Sequence, residues 1–86
     1  MTHSFKNVIG REVQRRRMQR GLSQEAFAAA CQRLGWDISR ATLSKIEAGL
    51  RCVSDAETVL LAAVLKCAVT DLLPKDVRVC LAFVSR

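Results

Sequence analysis

Ser39-Arg40-Ala41-Thr42-Leu43-Ser44-Lys45-Ile46-Glu47-Ala48-Gly49 is the stretch that decides how this chain folds. Ser39 is a good N-cap, because its side-chain oxygen can accept from backbone N–H groups that the first turn of a helix leaves unpaired. Gly49 supplies the freedom that ends a helix. Between them, Arg40 to Ala48 reads as a short helix with few apolar residues. Leu43 and Ile46 make its inward stripe, Leu50 lies just beyond, and Arg40, Ala41, Ser44 and Lys45 face out. A helix this short needs tertiary support.

The flanking sequence provides it with the same punctuation. From about Lys6 to Arg20, Phe5, Ile9 and Val13 keep helical spacing with Val8 beside them, Arg11, Arg15, Arg16 and Arg20 take other faces, and Gly21 closes the helix. Ser23 caps a second helix, Gln24 to about Leu34, with Leu22, Ala26, Phe27, Ala30, Cys31 and Leu34 on one broad apolar face and Gly35 at its end. Trp36-Asp37-Ile38 connects it to Ser39. Downstream, Ser54-Asp55-Ala56-Glu57 fits the capping box and starts a helix over Asp55 to Lys66, with Val59, Leu60, Ala63 and Val64 expected on its core face. Thr70 is expected to cap one more turn, Asp71-Leu72-Leu73, which Pro74 stops. The stretch Val77 to Val84 places Val, Leu and Phe at alternate positions, which suits a strand that pairs with a second copy of the chain; a sixth helix or a frayed end is the other reading.

An 86-residue chain has room for one core, since such a domain buries about 60 to 65% of its unfolded surface. Ala and Leu are plentiful and only 5% of residues are aromatic, which favours helices over strands. The expected architecture is all-α, a domain over 1–75 followed by a tail over 76–86. The net charge of +6 lies wholly in residues 1–51, which hold ten Lys or Arg against four acids, while 52–86 hold four of each. A basic half beside a neutral one suits a polyanion, either nucleic acid or an anionic membrane surface. The longest apolar run, Val59 to Leu65, is far shorter than the roughly 20 residues of a membrane span. Met1 to Ser4 lacks the apolar stretch of a secretory signal. Cys31, Cys52, Cys67 and Cys80 form no CxxC pair and have no second His near enough for a zinc knuckle, so no metal or other cofactor is expected. The thiols read as reduced and the location as cytoplasmic. Lone His3 reads as part of a disordered polar N-terminus. With it the chain has no plausible Cys-His dyad, and it lacks paired carboxylates or a Gly-rich loop, which argues against an enzyme.

Two capped helices joined by a turn, the second short and polar on one side, make a helix-turn-helix arrangement. Its second helix must bury one stripe and present short polar or basic side chains to base edges in a major groove. Arg40 in the first turn suits guanine O6 and N7, Lys45 a second base or a phosphate, and Ala41 a thymine methyl. Arg17 follows Val13 by four and Glu47 follows Leu43 by four, so both charges break apolar stripes. Either they meet in an ion pair pinning the first helix to the third, or each snorkels to solvent. The cluster Arg15-Arg16-Arg17-Arg20 is either a solvated face or a source of phosphate contacts, and Trp36 is either a plug over the turn or a base-stacking residue.

Ile9-Gly10-Arg11-Glu12-Val13 through Arg17, then Gly21-Leu22-Ser23-Gln24-Glu25, then Ile38 through Gly49, resembles the phage-repressor and Cro type of helix-turn-helix, the xenobiotic-response-element family, over roughly residues 5 to 74. The resemblance implies a five-helix lambda-repressor-like domain and a regulator that binds double-stranded DNA as a homodimer. It implies base reading by Arg40, Ala41 and Lys45 with Ser44 nearby, and phosphate contacts from Gln24, Ser39 and Arg51, with Arg16 or Arg20 on the first helix. Arg17 and Glu47 match its interhelical ion pair. The segment between Cys31 and Ser39 is longer than in the shortest members, which leaves the placement of Arg33, Trp36 and Asp37 open, and Ala48 replaces a polar residue common before the glycine. A module whose main task is to hold a partner protein, such as an antitoxin, is the alternative use of the same sequence.

Overall fold

The computed structural model describes residues 5–84; the reading of His3 lies outside them. The elements run α1 (Gly10–Gln19), α2 (Gln24–Arg33), α3 (Arg40–Glu47), α4 (Asp55–Leu65), α5 (Val69–Leu72) and α6 (Val77–Cys80), followed by a 3₁₀ turn at Leu81–Phe83. The fold is all-helical, and α3 packs on both α1 and α2 while α4 closes the core from the other side.

The serines set the starts. Ser23, Ser39 and Ser54 accept from the N–H groups of Ala26, Thr42 and Glu57 respectively. Glu57 returns the favour to the Ser54 N–H at 3.1 Å, completing the capping box. α1 begins later than its apolar spacing suggests. Asn7 Oδ1 accepts from the N–H groups of Ile9 and Gly10 at 3.1 and 2.7 Å, so the chain turns there instead of continuing as helix. α5 begins at Val69, one residue before Thr70, and Thr70 is therefore inside the turn and not its cap. The donor in need is the Ala68 N–H, and Asp71 Oδ2 accepts from it at 3.0 Å.

Ile9 just before α1, Val13 of α1, Phe27, Ala28 and Cys31 of α2, Ile38, Leu43 and Ile46, Leu61, Ala62 and Leu65 of α4, and Leu72 form the core. The α4 face differs from the expected one: Val59 is 55% exposed and Ala63 is exposed, while Leu61, Ala62 and Leu65 are buried. Val59 to Leu65 is apolar all round, so periodicity carries no information about which side turns inward. Ala26 on α2 and Leu34 just past its end are likewise exposed, and Ala28 takes the inward place. Burial pushes the Cys31 thiol up to about 11, which makes it a small hydrophobe in the core.

The connection between α2 and α3 is ordered by its own hydrogen bonds. Trp36 N–H donates to the Cys31 carbonyl at 3.1 Å and Gln32 Nε2 to the Ile38 carbonyl at 2.7 Å. Trp36 packs partly buried on the core with Ile38 beneath the loop, while Arg33 and Asp37 are exposed. The tail is helical over Val77–Phe83, with Asp76 Oδ1 accepting from the Arg78 N–H at 2.9 Å at its start; among the described residues there is no strand. An alternating pattern predicts a strand only when a second strand shares the ladder, and a capped turn satisfies the same backbone groups locally.

Candidate nucleic-acid interface

α3 is held from three directions. Arg17, 8% exposed, donates from Nε to Glu47 Oε2 at 2.7 Å and from Nη2 to Glu47 Oε1 at 3.0 Å, and its Nη1 donates to the Leu22 carbonyl at 2.6 Å. Glu47, 4% exposed, also accepts from Gln24 Nε2 at 3.0 Å. One guanidinium thus ties α1 to the turn before α2 and to the end of α3, and one carboxylate gathers residues from α1 and α2. Among the described residues no buried side-chain N or O lacks a hydrogen-bond partner, which is the condition under which a buried charge pair is tolerated.

The C-terminal end of α3 is fastened to the segment before α1. Asn7 Nδ2 donates to the carbonyls of Ile46 and Arg51 at 3.1 and 2.9 Å, and Lys6 N–H donates to the Gly49 carbonyl at 2.8 Å. Gly49 takes a left-handed φ of 76° directly under the Phe5 ring, where an added Cβ would lie 2.6 Å from a ring carbon. Sequence spacing gave no sign of Asn7; the only available signal was an Asn three residues before a Gly at a helix start.

With Leu43, Ile46 and Glu47 buried, α3 presents Arg40 and Ser44 in one row and Ala41 and Lys45 in the next, because residues four apart share a helical face. Arg40, Ala41 and Lys45 are exposed and Ser44 is half-buried. Arg40 Nε lies 3.0 Å from Glu25 Oε2, a contact between the first turns of α3 and α2 that the sequence reading did not anticipate. Lys45 and Arg20 are exposed and join no ion pair among the described residues.

The other candidate phosphate ligands already have protein partners. Ser39 Oγ accepts from Thr42 N–H at 3.1 Å. Gln24 is bound to Glu47 as described, which uses one of its two amide protons. Arg16 Nε donates to Glu12 at 2.9 Å, and Arg15 meets the same carboxylate, holding Glu12 below the usual carboxylate range. Arg51 donates to both oxygens of Glu57 at 3.0 and 3.1 Å and to the Cys52 carbonyl at 2.9 Å. Arg51 thus meets a phosphate only with its remaining donors or by releasing Glu57.

A short capped helix pinned on its inner side and lined outside with Arg, Ser, Ala and Lys, seated on a second capped helix across a turn, defines a helix-turn-helix DNA-binding protein. A helix-turn-helix family model matches residues 13–72, and the chain belongs to that family, in its phage-repressor and Cro branch. No protein with curated annotation matches it. Among solved structures it is similar to a hypothetical transcription factor from Neisseria, at 26% identity and a TM-score of 0.68, over 90% of this chain and 84% of that one. Among the described residues no helix is long and apolar enough to cross a membrane.

Proposed function

We propose that this protein is a cytoplasmic, non-enzymatic transcription regulator that binds double-stranded DNA sequence-specifically as a homodimer, with α3 in the major groove, and acts as a repressor. The observation that carries the reading is the division of α3 into a fully pinned inner side and an outer strip of Arg40, Ala41, Ser44 and Lys45. Arg40 reads guanine, Ala41 meets a thymine methyl, Lys45 reaches a base or phosphate, and Gln24, Ser39, Arg16, Arg20 and Arg51 hold the backbone. The resemblance to a transcription factor supports the regulatory role.

Dimerisation rests on the tail. Val77 is 78% exposed, and Val79, Leu81 and Val84 are also exposed, a run of apolar residues that a second copy covers at least cost. The same surface supports a second reading, an antitoxin-like module whose tail holds a partner protein. Selection of sites from a random duplex library at two salt concentrations tests the first reading. The expected product is an inverted repeat with half-sites about 34 Å apart. No enrichment, with binding that vanishes as salt rises, rejects sequence reading and favours the partner-protein role.

A further inference from the structure

We infer that Glu25 is a specificity-determining residue that positions Arg40 for base reading; this rests on the reading of Arg40 proposed above. The two side chains approach at 3.0 Å through Arg40 Nε and Glu25 Oε2, with 59% and 69% of their surfaces exposed. An ion pair this open adds almost nothing to folding stability, and neither residue belongs to the core. What the contact does is orient a long side chain whose rotamer freedom is otherwise large. Nε is the guanidinium nitrogen that meets Glu25, which leaves the two terminal nitrogens for another partner, and that terminal fork is the edge that matches guanine O6 and N7.

Glu25 also works against non-specific binding. It stands in the first turn of α2 against Arg40, so its carboxylate brings a negative charge to the end of α3 proposed to face DNA. There it repels phosphate and, by engaging Arg40, withholds a cation from phosphates in any sequence. Only a guanine in the right register returns the lost contact. Discrimination thus rises while sequence-independent affinity falls, a repulsive element serving specificity.

The test compares wild type with Glu25→Gln, Arg40→Lys, Arg40→Ala and the double variant Glu25→Gln/Arg40→Lys. Each is measured for binding to the selected operator, to the operator with the Arg40-contacted guanine replaced, and to random duplex, with thermal unfolding recorded for all. Glu25→Gln is expected to keep the melting temperature, lower discrimination at that one base pair about three-fold or more, and tighten random-duplex binding by a similar factor. In the Arg40→Lys background, which lacks the planar fork, Glu25→Gln is expected to leave base discrimination unchanged. Wild-type discrimination in Glu25→Gln overturns the inference while leaving Arg40 as reader. Wild-type discrimination in Arg40→Ala overturns the reading of Arg40 itself, and this inference with it.

Discussion

Gly10 lies against Ile46 so closely that a Cβ on Gly10 would stand 2.2 Å from the Ile46 carbonyl oxygen. α1 and α3 therefore meet backbone to backbone, and the obstacle is a main-chain atom that no rotamer change can move aside. Alanine at position 10 gains up to about 1 kcal/mol of helix propensity, yet overpacking of this kind costs about 1–3 kcal/mol. Gly10→Ala is expected to lower stability by about 1–2 kcal/mol in urea unfolding; an unchanged or higher midpoint would contradict the close approach.

The Arg17–Glu47 pair is buried and fully hydrogen-bonded, so removing one member strands the other. Glu47→Gln is expected to cost about 3–5 kcal/mol, a large share of the stability of a small domain. The double change Arg17→Met/Glu47→Leu removes both charges and is expected to recover most of that loss. A double variant no more stable than Glu47→Gln would show that the pair supplies net stability.

α4 ends without a glycine. Lys66 takes φ 57°, ψ 43°, and the N–H groups of Lys66 and Cys67 close the helix on the Ala63 and Ala62 carbonyls at 3.1 and 3.0 Å. A left-handed conformation costs a non-glycine residue about 1 kcal/mol. Lys66→Gly is expected to raise stability by about 0.5 kcal/mol, read as a melting temperature higher by a few degrees; Lys66→Ala is expected to give no such gain.

The bonds from Arg51, with help from the Ser54 N–H, hold the Glu57 carboxyl below its ordinary value of 4.5. A group whose pKa is lowered in the folded state contributes stability that is present above the unfolded value and fades as pH falls through the folded one. Stability is therefore expected to drop below about pH 4.5, and Glu57→Gln to be less stable at pH 7 with a flatter acid limb. Parallel pH profiles for the two proteins would remove Glu57 from the account.

On DNA, Arg40→Ala and Lys45→Ala are expected to relax base preference, Arg40 by about 1–3 kcal/mol at one position. Arg20→Ala is expected to weaken binding to all sequences alike and lower the salt slope by about one. Selection of the wild-type consensus by Arg40→Ala would remove its reading role.

Much of this architecture is written in short-range chemistry. Ser23, Ser39, Ser54 and the glycines after α1, α2 and α3 announce their helices because capping is local, and the meeting of Arg17 with Glu47 is legible because each charge interrupts an apolar stripe. Legibility ends where the local signal is degenerate. Val59 to Leu65 offers no polar side, so its inward residues are decided by the neighbours it meets. Val77 to Val84 alternates without a strand to pair with. Asn7 and Glu25 act on residues 39 and 15 positions away, and nothing in one sequence marks such partners.

The Asn7 bridge has a practical corollary for any attempt to move α3 and its supports elsewhere. The family match opens at residue 13, yet the far end of α3 is moored by Lys6 and Asn7. A transplant cut at that boundary carries the proposed base-contacting side chains but loses these bonds, and Glu47, through Arg17 and Gln24, is left to fasten the C-terminal end of α3. The smallest portable unit therefore begins at Phe5.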